Sequence, residues 1–303
     1  MVRPEPALEL ACPLCRGPVC IEELGARCTL CGNVCPQSAG IWRFLPAPRA
    51  GEFASFLRQY RTVRQEEGWG SPRAEYYRAL PYVPRDDPQR SVWRLRARSY
   101  QKLLRLLAGC GPATILDVGA GNCWLANQLA LRGYTVAALD ISDDPQDGLG
   151  AAARYRTRFG RYQADFDRLP FGQGQFDAVI ANAALHYSPS LADTLGEARR
   201  VLAPQGRIVV LDSPFYSRAS SGRAMLAERE ADHACRYGCP QPSLPMVGFL
   251  TAEHLERAAA QAGLGVSVSA PDDGWRRRAQ RALAWIRTGR EPARFPMIVL
   301  QRA

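Results

Sequence analysis

The chain of 303 residues lacks the features that would place it in a membrane or outside the cell. It has no uncharged apolar run near the roughly 18 residues that a membrane helix requires. Its first ten residues, MVRPEPALEL, do not show the charge and long apolar stretch of a signal peptide. We therefore expect a cytoplasmic protein with no membrane partner.

Lysine is nearly absent, because Lys102 is the only one in the sequence. The formal net charge of +10 therefore comes almost wholly from arginine. This charge would attract RNA or another polyanion. Arginine-rich helix faces that only keep the protein in solution explain the same composition, so charge alone does not identify a partner. The composition also leaves the oligomeric state open.

Six of the ten cysteines lie between Cys12 and Cys35. Four of them form two C-x-x-C pairs a dozen residues apart, which is the spacing of a tetrahedral zinc site with Zn–S bonds of about 2.3 Å. The predicted zinc ligands are Cys12, Cys15, Cys28 and Cys31. Free or disulfide-bonded cysteines are the alternative, which a reducing compartment disfavours. A four-cysteine site has no open position, so this zinc would be structural.

The pattern divides the chain into three regions. Residues 1–46 form a Cys-, Gly- and Pro-rich zinc ribbon, followed by a Pro- and Gly-containing linker. Residues 52–108 have helical periodicity and form a helical cap. Residues 109–303 form the main domain, in which 213–247 is predicted to be an irregular insertion.

Aromatic residues of the cap allow two interpretations. Phe53, Phe56, Leu57 and Tyr60 recur at the i, i+3, i+4, i+7 positions of one helix face. Four further aromatic residues of the cap are Tyr76, Tyr77, Trp93 and Tyr100. They either line a lid over a ligand or form the core of the cap.

From residue 113 onward, short apolar runs such as TILDV, TVAALD, FDAVIAN and RIVVLD alternate with helical patterns. This alternation indicates an α/β, Rossmann-like domain with a mostly parallel sheet. Two more strands, GVSVSA and PMIVLQ, follow near the end of the chain.

A glycine-rich turn follows the first of these strands. Gly119 and Gly121 let the backbone pass close to a ligand at the carboxyl end of the strand. A dinucleotide site would have a third small residue where this chain has Trp124. Asp117 would repel a pyrophosphate, but it favours S-adenosylmethionine (SAM), which carries an ammonium and a sulfonium. The sequence therefore favours SAM over NAD.

The motifs LDVGAG, a strand-ending Asp140, AD-x-x-x-LPF, FDAVIANAALHY and EARRVLAPQGRIVVLD follow in order across residues 113–212. In this the chain resembles the class I SAM-dependent methyltransferases. The resemblance implies a seven-stranded sheet whose last strand is antiparallel. It also implies that Asp140 binds the ribose, that Asp165 and Phe166 bracket the adenine, and that residues 182–185 lie along the methionine moiety. The expected SAM-binding residues are Asp117, Gly119, Ala120, Gly121, Asp140, Ile141, Asp165, Phe166, Asn182, Ala183 and Leu185.

The N-terminal segment resembles the small zinc-ribbon activators of methyltransferases, through CPLC at 12–15, CTLCG at 28–32 and the Gly40-Ile41 pair. Cys35 stands where that family usually has tyrosine. Ribosomal-RNA guanine methyltransferases also begin with a CPLC knuckle, but they use a histidine as fourth ligand. The sequence assigns no role to Cys20, Cys35, Cys235 or Cys239.

His186 and Tyr187, directly after the fourth strand of the main domain, are the candidate catalytic residues. Methyl transfer is an in-line displacement that positioning alone accelerates, so a general base is optional. His186 is the titratable group best placed to remove a proton from an oxygen or nitrogen nucleophile, and Tyr187 would orient or cap the pocket. A hydrogen-bonded structural role is the alternative for His186.

The acceptor is the least constrained part of the prediction. The NAALHY loop and the cap favour a small molecule, whereas the ribbon and the positive charge favour ribosomal or transfer RNA. RNA enzymes often have a Pro-containing motif after the fourth strand, which this chain lacks. A non-catalytic SAM-binding docking or regulatory protein is the third alternative.

Overall fold

The computed structural model describes residues 8–109, 111, 113–238, 244–269, 283–286 and 288–303. Its strands are β1 (Val19–Glu22), β2 (Gly25–Cys28), β3 (Val34–Ser38), β4 (Ile41–Arg43), β5 (Thr114–Val118), β6 (Thr135–Asp140), β7 (Gly160–Gln163), β8 (Phe176–Asn182), β9 (Leu202–Leu211), β10 (Leu264–Val268) and β11 (Ile298–Arg302). Its α-helices are α1 (Ala47–Glu66), α2 (Ala74–Ala79), α3 (Arg90–Leu107), α4 (Trp124–Ala130), α5 (Leu191–Val201), α6 (Ala219–Tyr237) and α7 (Ala252–Gln261).

The main domain contains a seven-stranded sheet in the order β7-β6-β5-β8-β9-β11-β10. The first five strands in this order are parallel, and β11 is antiparallel to both of its neighbours. The central strands β5 and β8 are buried almost throughout, as expected for strands covered on both faces. The predicted Rossmann-like sheet with an antiparallel last strand is confirmed.

Helix α3 attaches the cap to this sheet through one apolar face. Trp93, Tyr100, Leu103 and Leu107 are buried on it, and they belong to the same core as residues of β5, β8 and α4. Tyr77 of α2 is also fully buried there. Of the two interpretations of the cap aromatics, the structure therefore favours a packed core for Tyr77, Trp93 and Tyr100.

The predicted linker after residue 46 is not a linker, because α1 already begins at Ala47. Pro46 is its N-cap and Pro48 lies in the first turn. The N–H groups of a first helical turn have no intrahelical acceptor, so proline costs nothing there and its fixed φ suits the helix. The two prolines thus start the helix that the sequence pattern placed five residues later.

The prediction of an irregular insertion at 213–247 was wrong for much of its length. Helix α6 occupies 19 residues of it and ends at Gly238, which has a left-handed φ of +68°. Few of its buried residues are large and apolar, since they include Ser221, Gly222 and His233. The helix was missed because it has strong helix formers but little apolar periodicity.

The ribbon strands β1–β4 extend the sheet of the main domain. Strand β4 pairs in parallel with β7, with Trp42 opposite Tyr162 and Arg43 opposite Gln163. The Arg168 guanidinium also donates to the carbonyl oxygens of Pro13 and Leu14. The ribbon is therefore joined to the sheet rather than tethered in front of it. Among the described helices, none is long and apolar enough to cross a membrane.

Candidate functional site

The loop after β5 forms the floor of the candidate site. Gly119 has a φ of +70°, and a Cβ added to it would lie 2.4 Å from the Cβ of Ala184. The N–H groups of Gly119 and Ala120 donate to the carbonyl oxygen of Leu139, at 2.8 and 3.0 Å. Both the backbone conformation and the close approach of the next loop therefore require glycine at position 119.

Asp140 ends β6 beside this loop. Its Oδ2 accepts from the N–H of Gly121 and its Oδ1 accepts from the N–H of Ser142, both at 2.8 Å. Burial raises the pKa of Asp140 to about 6, although these two hydrogen bonds act to lower it. The carboxylate is thus held in a fixed orientation, with acceptor capacity left for hydroxyl groups of a ligand.

Asp117 lies beneath the loop and is not among the described residues that line the cavity. It is 1% exposed, and its Oδ2 has no hydrogen-bond partner in the described part of the chain. Burial raises the pKa of Asp117 to about 7. Any interaction of this group with a ligand in the cavity is therefore through space.

A cavity of about 470 Å³ opens above the carboxyl ends of β5, β6 and β8. Most of the residues predicted from the SAM motifs line it, whereas Leu185 is buried outside it. The predicted residues in its wall are Gly119, Ala120, Gly121, Asp140, Ile141, Asp165, Phe166, Asn182, Ala183 and Tyr187.

Helix α1 forms the opposite wall. Its face of Phe53, Phe56, Leu57 and Tyr60 lines the cavity, and Phe53 and Phe56 are buried. Residues 244–246, with the sequence Leu-Pro-Met, complete this side. The apolar face that the periodicity of α1 predicted therefore both packs against the main domain and lines the cavity.

Three arginines hold α1 to the loops of the main domain. Arg49 pairs with Asp165, Arg61 Nε lies 2.6 Å from Asp144 Oδ2, and Arg64 Nη2 lies 3.1 Å from Asp147 Oδ1. Asp144 and Asp147 follow the carboxyl end of β6, and Asp165 follows that of β7. Partly buried charge-assisted pairs of this kind fix the position of the helix over the cavity.

Asp165 and Phe166 follow β7 in the same wall. The Nε of Arg49 donates to Asp165 Oδ2 at 3.2 Å, and the N–H of Phe166 donates to Asp165 Oδ1 at 2.7 Å. Asn182, at the end of β8, is buried, and neither atom of its carboxamide has a partner among the described residues. Asn182 thus presents an unused donor and an unused acceptor to the cavity.

The two candidate catalytic residues occupy different environments. Tyr187 lines the cavity and its ring meets that of Tyr60 edge-on, with centroids 6.4 Å apart. His186 is buried, is not among the described lining residues, and has Nδ1 3.3 Å from the hydroxyl of Ser213. Burial lowers the pKa of His186 to about 3. The geometry therefore favours the hydrogen-bonded structural interpretation of His186.

The four cysteines of the two C-x-x-C pairs come together in the ribbon. Their Sγ atoms all lie within 4.8 Å of one another, with Cys15 3.4 Å from both Cys28 and Cys31 and Cys12 3.6 Å from Cys31. The backbone N–H of Cys31 contributes most to lowering the pKa of Cys28 to about 6. A tetrahedron of sulfurs at about 2.3 Å from a metal has edges of about 3.8 Å, so this arrangement fits a zinc ion.

The other ribbon cysteines stay outside that group. Cys35 is buried and its Sγ accepts from the side chain of Asn33, while Cys20 is exposed. Cys235 is exposed on α6, and Cys239 lies outside the described residues.

Comparison with known proteins agrees with this geometry. Residues 116–210 match a family described as a methyltransferase domain. The chain is 32% identical over 183 residues to the malonyl-(acyl-carrier protein) O-methyltransferase of Geobacter sulfurreducens, which covers 56% of this chain and 62% of that protein. It is 30% identical over 164 residues to the protein of that name from Enterobacter lignolyticus, covering 54% and 59%. The match thus spans about three fifths of each relative.

Solved structures show the same fold. A geranyl diphosphate C-methyltransferase from Streptomyces coelicolor aligns with a TM-score of 0.53 at 19% identity, covering 84% of this chain and 98% of that one. The YcgJ protein from Bacillus subtilis aligns with a TM-score of 0.51 at 16% identity, covering 68% and 99%. At these identities the similarity concerns the fold alone.

The sequence motifs did not identify four charged residues that line the cavity, which are Arg49, Arg64, Arg96 and Asp147. These residues lie far from the glycine-rich turn in sequence or outside any motif, and arginine is common throughout this chain. Only the helical face of α1 gave a signal that pointed to this wall.

Proposed function

We propose that the protein is a class I SAM-dependent methyltransferase and that it transfers the methyl group of SAM to an oxygen or nitrogen nucleophile of a small molecule. The observation that carries the proposal is the cavity between the carboxyl edge of the sheet and the apolar face of α1. Its volume of about 470 Å³ suits a small-molecule site.

The side chains of the cavity support a specific arrangement of SAM. Asp140 and Ile141 would contact the ribose, and Asp165 with Phe166 would flank the adenine. The backbone of residues 119–121 would approach the methionine moiety, together with residues 182–184. Asp117 would favour the sulfonium electrostatically from beneath the loop.

The reaction then needs little beyond positioning. A lone pair of the acceptor attacks the methyl carbon as the S–CH₃ bond breaks, and its electron pair neutralises the sulfonium to a thioether. Tyr187 is the residue we assign to orienting the acceptor, because it lines the cavity next to Tyr60. We assign no proton transfer to His186, which is buried away from the cavity. A neutral acceptor then releases its proton to water, whereas a carboxylate acceptor has none to lose.

The named activity of the curated relatives is consistent with an oxygen nucleophile. Both are malonyl-(acyl-carrier protein) O-methyltransferases, so their acceptors carry a malonyl group on a carrier protein. An acceptor with a carboxylate, as a malonyl group has, is therefore consistent with the oxygen nucleophile proposed for this chain.

We further propose that Cys12, Cys15, Cys28 and Cys31 bind one structural Zn²⁺. Four thiolates close the coordination shell, so the ion would stabilise the ribbon and take no part in methyl transfer. Through the pairing of β4 with β7, the ribbon in turn would cover an edge of the catalytic sheet.

RNA is the second candidate acceptor, favoured by the net charge of +10 and the ribbon. A non-catalytic SAM sensor is the third. Incubating the purified protein with radiolabelled SAM and either a small-metabolite extract or total RNA distinguishes the three. We expect label in the metabolite fraction, and the Asp140→Ala variant as a control should greatly reduce it. Label in RNA alone would support the second candidate, and no transfer the third.

A further inference from the structure

Arg96, on the inward face of α3, lines the cavity from the side of the cap. Within the described ranges, no carboxylate lies within ion-pair distance of its guanidinium, and no side-chain hydrogen bond satisfies it. Its position is set instead by stacking, because Cζ lies 4.7 Å from the ring centroid of Trp93 and 5.1 Å from that of Trp69. Cation–π contacts orient the group but leave its N–H donors free.

The acidic residues around the cavity already have partners. Arg49 pairs with both Glu52 and Asp165. Arg64 pairs with Asp147, and backbone N–H groups hold Asp140. Among the arginines in the cavity wall of the described chain, Arg96 alone has no counter-ion in contact.

The charges that act on Arg96 from a distance do not replace a partner. The carboxylates of Asp147 and Asp212 attract its charge. The guanidinium of Arg64, which stacks on the Trp69 ring, repels it. Asp212 accepts a hydrogen bond of 2.5 Å from the hydroxyl of Ser99 and is not in contact with Arg96. Burial, the largest effect, lowers the pKa of Arg96 and so opposes its charge. An anion entering the cavity would relieve this cost.

The carboxamide of Asn182 is a second unused polar group that lines the same cavity. Both of its polar atoms are buried and without a partner in the described structure, so a polar ligand group in the cavity would satisfy them. A guanidinium and a carboxamide in one largely apolar cavity match a ligand with a single anionic head and neighbouring polar atoms. A carboxylate fits best, because its two oxygens match the planar fork of arginine and its single charge balances that of Arg96.

We propose that Arg96 is the carboxylate-binding residue of this cavity. The proposal rests on the proposed function, which supplies two carboxylates: the one at the methionine end of SAM and the one on an acidic acceptor. In either case Arg96 fixes one end of a reactant relative to the sulfonium. If Arg96 binds the carboxylate of SAM, its replacement should weaken the binding of SAM. If it binds the carboxylate of the acceptor, its replacement should weaken the binding of the acceptor.

Calorimetry on Arg96→Met tests the proposal with three probes. They are S-adenosylhomocysteine (SAH), 5′-methylthioadenosine, which has the same nucleoside without the amino acid end, and malonate added to SAH-saturated protein. If the carboxylate belongs to SAM, the variant should bind SAH about ten- to a hundred-fold more weakly, with unchanged affinity for 5′-methylthioadenosine. If it belongs to the acceptor, only malonate binding should be lost.

Two further variants control the experiment. Arg96→Lys keeps the charge but loses the fork, so its affinity should lie between those of the wild type and Arg96→Met. Arg94→Met removes an exposed arginine from the same helix and should bind all three probes as the wild type does. Thermal melting of each variant checks that it is folded.

Two results would overturn the proposal. One is wild-type affinity of Arg96→Met for all three probes. The other is an equal loss for SAH and 5′-methylthioadenosine, which would indicate a structural role. Failure of the wild-type protein to bind SAH would instead contradict the proposed function itself, so the two failures are distinguishable.

Discussion

Replacement of Asp140 by asparagine tests the predicted ribose site with little change in shape. The Oδ1 of the new side chain can still accept one of the two backbone N–H groups, from Gly121 or Ser142, that the carboxylate now accepts at 2.8 Å. The variant loses the negative charge and one acceptor oxygen. A hydrogen bond to a charged group contributes about 1.5–3 kcal/mol. The affinity for SAM should therefore fall by about ten- to a hundred-fold.

Calorimetric titration of SAM measures this change, and Asp143→Asn is the matched control. Asp143 lies three residues further along the same loop, is partly exposed and pairs with Arg43 at 2.7 Å. Its replacement should leave the affinity for SAM unchanged. Equal affinities of Asp140→Asn and the wild type would refute the assignment of the ribose site.

The remaining predictions concern pH, zinc and RNA. The raised pKa of Asp140, about 6, means that its folded form binds a proton more tightly than its unfolded form. This group's contribution to stability is therefore full below about pH 4 and is lost as the pH rises through 6. Conversely, the affinity for SAM should increase from pH 5 to 7 in the wild type, and a calorimetric pH series on Asp140→Asn should be flatter; parallel curves would exclude Asp140 as the cause. Metal analysis should find about one zinc per chain, lost in Cys12→Ser/Cys28→Ser, and unchanged zinc in that variant would contradict the four-thiolate site. In filter binding, RNA affinity should be no tighter than about 10⁻⁴ to 10⁻⁶ M at physiological salt. A nanomolar complex that weakens about 10³-fold between 50 and 200 mM salt would instead favour RNA as the acceptor.

The sequence predicted the parts of the molecule whose signals are local. The alternation of buried strands with helices was sufficient to predict the sheet. Gly119 marked a turn in which only glycine fits. The C-x-x-C pairs likewise predicted a cluster that the structure brings together. In each case the residues that matter are separated by a few positions or by a fixed motif spacing.

The parts that sequence did not predict depend on contacts between distant segments. Nothing near Arg49 indicates that it faces Asp165, 116 positions away, and nothing near Ile41–Arg43 indicates a strand that extends the main sheet. His186 followed the expected strand, but its side chain turns towards Ser213 rather than towards the cavity. The motif predicted where the backbone of His186 lies. The direction of its side chain depends on tertiary packing, which the motif does not determine.

The most direct test of the central claim is a calorimetric comparison of SAM and NADH on the unmodified protein. Both ligands carry an adenosine, but only NADH carries a pyrophosphate, which Asp117 and Asp140 at the strand ends would repel. We expect SAM to bind at a single site and more tightly than NADH. Tighter binding of NADH, or no binding of SAM, would contradict the assignment of this cavity to a methyltransferase.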